Sequence, residues 1–333
     1  MLDLIIPVYN NKKGLYRTLF SIGTDLDKKI KVTIIDDCST ENYEDVENFF
    51  QKFFPIRIIK LAKNQGPGNA RQYGLDIASQ SYISFIDCGD TFVTSTTLRE
   101  MIEKVEQKST YDFYSWEHLQ EDSDNSFTVV AATHNRIHGK IYKTDFLKKH
   151  NISFNPNAAR ANEDIGFNIA CRMISQNYLE IDEPAVVWKQ DGPSIVRANN
   201  NAFYYKEQNL GLAMNVKHAV DIALHNNVKT EIILKNIYEI MTSLYFFYLA
   251  TEISRPEFCA EAFAGCYYFY KKCYRDCGAV NPVLMNECYF NTLISFLNEE
   301  NCPIKQKALN INFVEFLQKL ELTYLKEFDF SQK

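Results

Sequence analysis

The residues best suited to chemistry fall in four short clusters. They are Asp36-Asp37-Cys38-Ser39-Thr40, Asn64-Gln65-Gly66-Pro67-Gly68-Asn69-Ala70-Arg71, Asp87-Cys88-Gly89-Asp90 and Glu163-Asp164. Carboxylates accept hydrogen bonds, which suits them to ribose hydroxyls and to the N–H groups of a base. They repel phosphate unless a hard divalent cation stands between, and Mg²⁺ and Mn²⁺ favour oxygen ligands. Such a cation stabilises the charge that gathers on a departing diphosphate. Arg71 can add a second positive contact to the phosphates. Asp164 is placed to act as general base toward an attacking hydroxyl. Together the set suits transfer of a sugar from a nucleoside diphosphate carrier.

These clusters work only if the fold brings them together. The first half of the chain alternates strand and helix patterns. Strands are predicted over residues 2–8, 31–35, 56–61 and 82–86, and helices over 14–22, 43–53 and 69–78. Such alternation predicts a mixed, mostly parallel sheet flanked by helices. Ligands bind beyond the carboxyl ends of the strands in sheets of this kind. The first three clusters each follow a predicted strand. Further strands are predicted over 112–117, 127–132 and 185–189, and helices over 143–150 and 165–174. After about residue 203 the periodicity is helical throughout, over 203–225, 230–251, 256–277, 284–299 and 313–328. The expected organisation is an α/β domain over 1–200, a linker at Asn199–Asn201, and an all-helical region over 203–333 that binds the acceptor or makes a homo-oligomer.

Bulk properties narrow the setting. A chain of 333 residues with 46% hydrophobic content can bury one large core or two modest ones. A net charge of −6 gives no general nucleic-acid-binding face. No signal peptide and no apolar run of membrane-spanning length is evident. The expectation is a cytoplasmic protein without a transmembrane segment, with peripheral attachment at the inner membrane face as a variant. Cys259, Cys266, Cys273 and Cys277 share one helical face without Cys-x-x-Cys pairs. They read as packed free thiols in a reducing compartment.

In its motifs and their order the chain resembles a family 2 glycosyltransferase of the GT-A fold, a Rossmann-like nucleotide-diphospho-sugar transferase domain. The matching segments are Ile6-Pro7-Val8-Tyr9-Asn10, Asp36-Asp37-Cys38-Ser39-Thr40, Asn64 to Arg71, Phe85-Ile86-Asp87-Cys88-Gly89-Asp90 and Glu163-Asp164, with Gly139-Lys140-Ile141-Tyr142-Lys143 as a weaker match. They cover roughly the first 200 residues. The resemblance implies that Pro7, Tyr9 and Asp37 line a nucleoside pocket with Asp36 beside them. It puts Gly68 and Arg71 on the nucleotide side, Asp87 at the ribose and metal, and Asp164 with Glu163 at the catalytic position. It also implies inversion at the anomeric carbon, a UDP-sugar donor, Mn²⁺ or Mg²⁺, and a glycan or glycoconjugate acceptor. The family commonly has Asp-x-Asp-Asp after the fourth strand. Here Gly89 takes the third position, which leaves Asp87 and Asp90 as a nonstandard metal pair, and residues 187–191 supply no histidine ligand.

Other readings attach to the same residues. Asp36, Asp37 and Ser39 are also good turn and cap residues, and Asp164 suits a helix N-terminus. Gly66-Pro67-Gly68 reads as a rigid turn that shapes the site. His134 and His138 read as structural or surface histidines, and the Tyr and Phe runs of the helical region as core. Two alternative functions are carried. One is a phage-type enzyme acting on modified DNA bases, suggested by residue usage that fits an AT-rich genome. The other is a non-catalytic sugar-nucleotide binder, suggested by Gly89.

Overall fold

The computed structural model describes residues 1–24, 26, 29–122, 124, 126–132, 135–158, 160–175, 177–189, 202–275, 281–298 and 312–331. The chain divides into two compact units, Met1–Ser194 and Ile195–Lys333. The linker expected at Asn199–Asn201 lies outside the described residues.

The first unit is built on a mixed sheet. Strands β1 (Leu2–Val8), β2 (Ile30–Asp36), β3 (Ile56–Lys60) and β4 (Tyr82–Phe85) run parallel in the order β3-β2-β1-β4. The chain winds outward from β1 through β2 to β3 and then returns to the other side of β1 at β4. That reversal opens a crevice at the carboxyl ends of β1, β2 and β4. Beyond β4 the sheet continues through β8 (Lys140–Lys143), β6 (Phe113–Glu121), β9 (Tyr178–Trp188) and β5 (Thr91–Phe92), with β7 (Phe127–Val130) beside β6. β8 is antiparallel to both β4 and β6.

β1 is buried along its whole length, as its near-continuous apolar run demands of a central strand. Its one charge, Asp3, accepts the amides of Ser79 and Gln80 at 2.6 and 2.7 Å. Helices α1 (Lys12–Phe20), α2 (Glu44–Phe50), α3 (Pro67–Asp76), α4 (Thr97–Gln107), α5 (Thr144–Lys149) and α6 (Glu163–Ile174) flank the sheet. α3 lies close against β1. A Cβ on Gly74 would come within 2.4 Å of Ile5 Cγ2, so only glycine allows the approach. Phe154 and Phe167 stack with ring centroids 4.2 Å apart, and the Arg71 guanidinium carbon lies 6.0 Å from the centre of the Phe154 ring.

The second unit is helical, with α7 (Ala202–His225), α8 (Thr230–Ser254), α9 (Cys259–Phe269), α10 (Pro282–Asn298) and α11 (Phe313–Ser331). A π turn, Tyr270–Tyr274, continues α9. Tyr245, Phe246 and Tyr248 are buried, and the Phe316 ring lies 4.8 Å from Tyr245 and 5.2 Å from Tyr248. These aromatics are core, as their spacing predicted. The Cys266 thiol packs buried against the Leu244 carbonyl, while Cys277 lies outside the described residues. Among the described residues no helix is long and apolar enough to cross a membrane.

β8 and β9 are among the elements that depart from the expectation, with α4 and β5, which were not assigned. β8 was not predicted, because Lys140 and Lys143 bracket only two apolar residues. The fold buries Lys140 and satisfies it partly through Ser115 Oγ at 3.0 Å. β9 is longer than the predicted strand over 185–189.

Candidate active site

The carboxyl ends of the parallel strands are tied to one another by short polar side chains. Asn10, in the left-handed region at φ 46°, donates its amide to Ser39 Oγ and accepts the Thr40 amide, both at 2.8 Å. Asn11 caps α1 by accepting the Gly14 amide, and its side-chain N–H donates to the Cys88 carbonyl at 3.3 Å. The segments after β1, β2 and β4 thus form one connected rim. Pro7 is buried in β1, and Tyr9 stands on the rim with 51% of its surface exposed.

The two aspartates after β2 are used internally. Asp36 accepts the Ser39 amide at 2.8 Å and lies 3.9 Å from Lys60 Nζ. It also lines a cleft of about 360 Å³ with Thr40, Glu41, Tyr43 and Lys60. Asp37, 3% exposed, accepts the amides of Gln65 and Gly66, each at 2.8 Å. Burial raises its pKa and the two amides oppose that. Asp37 therefore fixes the turn at Gly66, where φ is 90°, and with it the start of α3, the helix that carries Gly68 and Arg71.

Arg71 is the hub of the site. It is 3% exposed; one terminal nitrogen donates to Glu163 Oε1 at 2.6 Å and the other to Asp87 Oδ1 at 2.5 Å. Burial works against the guanidinium charge, but Asp87, Glu163 and Asp164 outweigh it and raise its pKa. The sequence reading gave Arg71 to the phosphates; here both terminal nitrogens serve carboxylates. Glu163 and Asp164 open α6, where the helix dipole favours negative charge. Asp164 Oδ2 accepts the Ile137 amide at 3.3 Å. Burial pushes the carboxyls of both Glu163 and Asp164 up, with Arg71 pulling the other way.

A second cluster sits beside Asp87. Asp87, Asp90 and His138 each offer a ligand atom within 4.8 Å of the others. Gly89 makes this arrangement possible: with φ at 111° it closes a turn in which the Asp90 amide donates to the Asp87 carbonyl at 3.1 Å. Asp90 is held from behind as well, since its Oδ1 accepts the Lys189 amide at 3.0 Å and its Oδ2 lies 3.4 Å from His138 Nδ1. Burial, with help from His118 and Arg136, drives the His138 pKa well below its usual value. The imidazole is therefore neutral, the form that binds metal. Two carboxylates and a neutral imidazole are a mixed oxygen and nitrogen donor set that could hold a divalent cation.

His138 is the site residue that sequence reasoning missed. It is 4% exposed, so it is not a surface histidine. β8 runs antiparallel to β4, pairing Ser84 with Ile141 and Tyr82 with Lys143. The residues before β8 therefore meet the residues after β4. The only available signal was the Gly139–Lys143 segment, and recognising it as a strand was the missing step. His134 lies outside the described residues.

Residues 3–164 match the family model described as Glycosyl transferase family 2. Over these residues the chain is similar to glycosyl transferase family 2. The matched span runs from β1 to Asp164. It is similar to WfaP of Escherichia coli, named as a UDP-Glc:alpha-D-GlcNAc-diphosphoundecaprenol beta-1,3-glucosyltransferase, with 33% identity over 124 residues. That match covers 37% of this chain and 48% of WfaP, so the chain spans about half the length of that relative. Among solved structures, S. aureus TarS 1–349 in complex with UDP-GlcNAc superimposes with a TM-score of 0.60 at 17% identity, over 87% of this chain and 88% of that one. The mannosyltransferase PcManGT from Pyrobaculum calidifontis, solved with GDP-Man and Mn²⁺, gives a TM-score of 0.51 at 12% identity, over 97% and 86%. These likenesses establish the GT-A fold.

Proposed function

We propose that the chain is an inverting glycosyltransferase that moves a sugar from a UDP-sugar to a hydroxyl acceptor in surface polysaccharide or glycoconjugate synthesis. The observation that carries this reading is the bridge from Asp87 through Arg71 to Glu163, which holds the carboxylate of the donor side beside that of the acceptor side. Tyr9 and the rim around Asp37 would take the nucleoside. The acceptor hydroxyl gives its proton to Asp164 as its oxygen bonds to the anomeric carbon. The bond from that carbon to the diphosphate breaks on the opposite face, so configuration inverts. Arg71 acts as a positioning residue that fixes Asp87 and Glu163 relative to each other. Asp87, Asp90 and His138 would hold a divalent cation, which supplies charge stabilisation for the departing diphosphate. The helical unit is assigned acceptor binding or self-association.

The names of the similar proteins support this direction: WfaP uses UDP-Glc on a lipid-linked diphosphate acceptor, and TarS binds UDP-GlcNAc. The non-catalytic alternative rested on Gly89. Gly89 closes the turn that stands Asp90 beside Asp87, near His138, so the glycine is compatible with a cation site and does not favour that alternative. Calorimetric titration with UDP and with UDP-sugars tests the donor. Absence of binding by any of them, with and without Mn²⁺, would end the proposal.

A further inference from the structure

The cation cluster and the candidate base are joined by a three-residue segment that the proposed mechanism uses only in part. Its third residue, His138, belongs to the cation cluster, and its second, Ile137, donates its amide to Asp164. Its first, Arg136, is exposed and sits with its guanidinium carbon 5.4 Å from the centre of the Trp188 ring. Trp188 in turn lies 6.4 Å from the His138 ring, and His138 lies 5.0 Å from the His118 ring. The Arg136 charge acts on this neighbourhood. After burial it helps to hold down the pKa of both histidines, and it opposes the burial that raises Asp164.

Charge in the crevice frames what such a residue would do. Asp87, Glu163 and Asp164 bear on the buried Arg71 guanidinium, which is already shared between two of them, and Asp90 stands beside Asp87. A diphosphate carrying two or more negative charges is repelled by that surplus, and one divalent cation offsets only part of it. An exposed arginine stacked on an aromatic face is held in place with little further loss of freedom. Its planar fork matches phosphate oxygens.

We propose that Arg136, seated on Trp188, grips the donor's diphosphate beside the cation cluster and is a binding residue for that group. The proposal rests on the nucleoside-diphosphate donor reading given above, and it is independent of the cation. Its test is calorimetric titration of UDP and of uridine, with Mg²⁺ and with EDTA, into the wild-type chain and the R136Q, R136K and W188L variants. R136Q should weaken UDP binding roughly tenfold in both conditions and leave uridine binding unchanged. R136K should recover part of the loss, and W188L should reproduce part of it. Equal UDP affinity in wild type and R136Q overturns the proposal. So does an equal loss for uridine, because the effect would then lie in the nucleoside pocket or the fold. If the wild type binds neither UDP nor uridine, the donor reading itself falls and takes this assignment with it.

Discussion

Arg71 and Glu163 meet at 2.6 Å, although 92 residues separate them in the chain. The same guanidinium reaches Asp87, so one buried charge joins α3, the segment after β4 and the start of α6. A buried ion pair is worth little net stability, but breaking it from one side leaves charges stranded. Replacing Arg71 with methionine should cost about 3–5 kcal/mol, read by urea denaturation. R71K should keep the charge yet lose the two-pronged geometry, giving a folded protein with reduced kcat.

Asp164 carries a second prediction. The D164N variant should lower kcat on the order of a hundredfold to ten-thousandfold while UDP affinity stays near the wild-type value. Because burial raises the Asp164 carboxyl, the base becomes protonated at a higher pH than an ordinary aspartate would. Activity should therefore fall on the acid side of the profile, beginning above the usual aspartate range. A profile flat down to pH 4 would remove Asp164 as the base.

The cation cluster is tested at His138. H138A should weaken Mn²⁺ binding on the order of tenfold to a hundredfold, measured from free Mn²⁺ by electron paramagnetic resonance in the presence of UDP. H138N, which keeps a neutral polar side chain of smaller size, controls for the buried cavity left by alanine. Mn²⁺ affinity unchanged in both variants would exclude the imidazole as a ligand.

Gly89 makes an unusual forecast, because the substitution that restores the family's common Asp-x-Asp-Asp pattern should harm the protein. At φ 111° an aspartate is strained even though its Cβ would meet only an ordinary contact, Asn11 Nδ2 at 3.6 Å. G89D should lose about 1–3 kcal/mol and some activity. A gain in both would mean that the turn from Asp87 to Asp90 can be rebuilt without cost.

Gly74 gives a purely structural check. A methyl group there must push against Ile5 at the centre of the sheet. G74A should destabilise the domain by about 1–3 kcal/mol, with no direct effect on the groups that bind nucleotide.

Much of the architecture was written in local patterns. The apolar runs of β1, β2 and β4 and the polar clusters after them predict both the parallel sheet and the edge where the site lies. α4 was equally legible, through the stripe of Leu98, Met101, Ile102 and Val105, although it was not assigned. β8 was hidden by the buried Lys140, since a lysine ordinarily marks a solvent face. His138 went unrecognised for the same reason, because its place follows from an antiparallel pairing that no local pattern encodes. The roles of Asp37 and Arg71 depend on partners far along the chain. Their residue types announced recognition of donors and anions, but only the fold could say that backbone amides and carboxylates already occupy them.

The pairing of β8 with β4 is also a condition for the site to exist. Asp87 and Asp90 lie about fifty residues before His138, and the three converge only after β8 has docked in register. A slip by one residue would turn alternate side chains to the opposite face. The site is thus complete only when that strand pair has closed in register. Cation or nucleotide binding would then serve as a readout of completed native topology, silent in a chain that has collapsed without closing that strand pair.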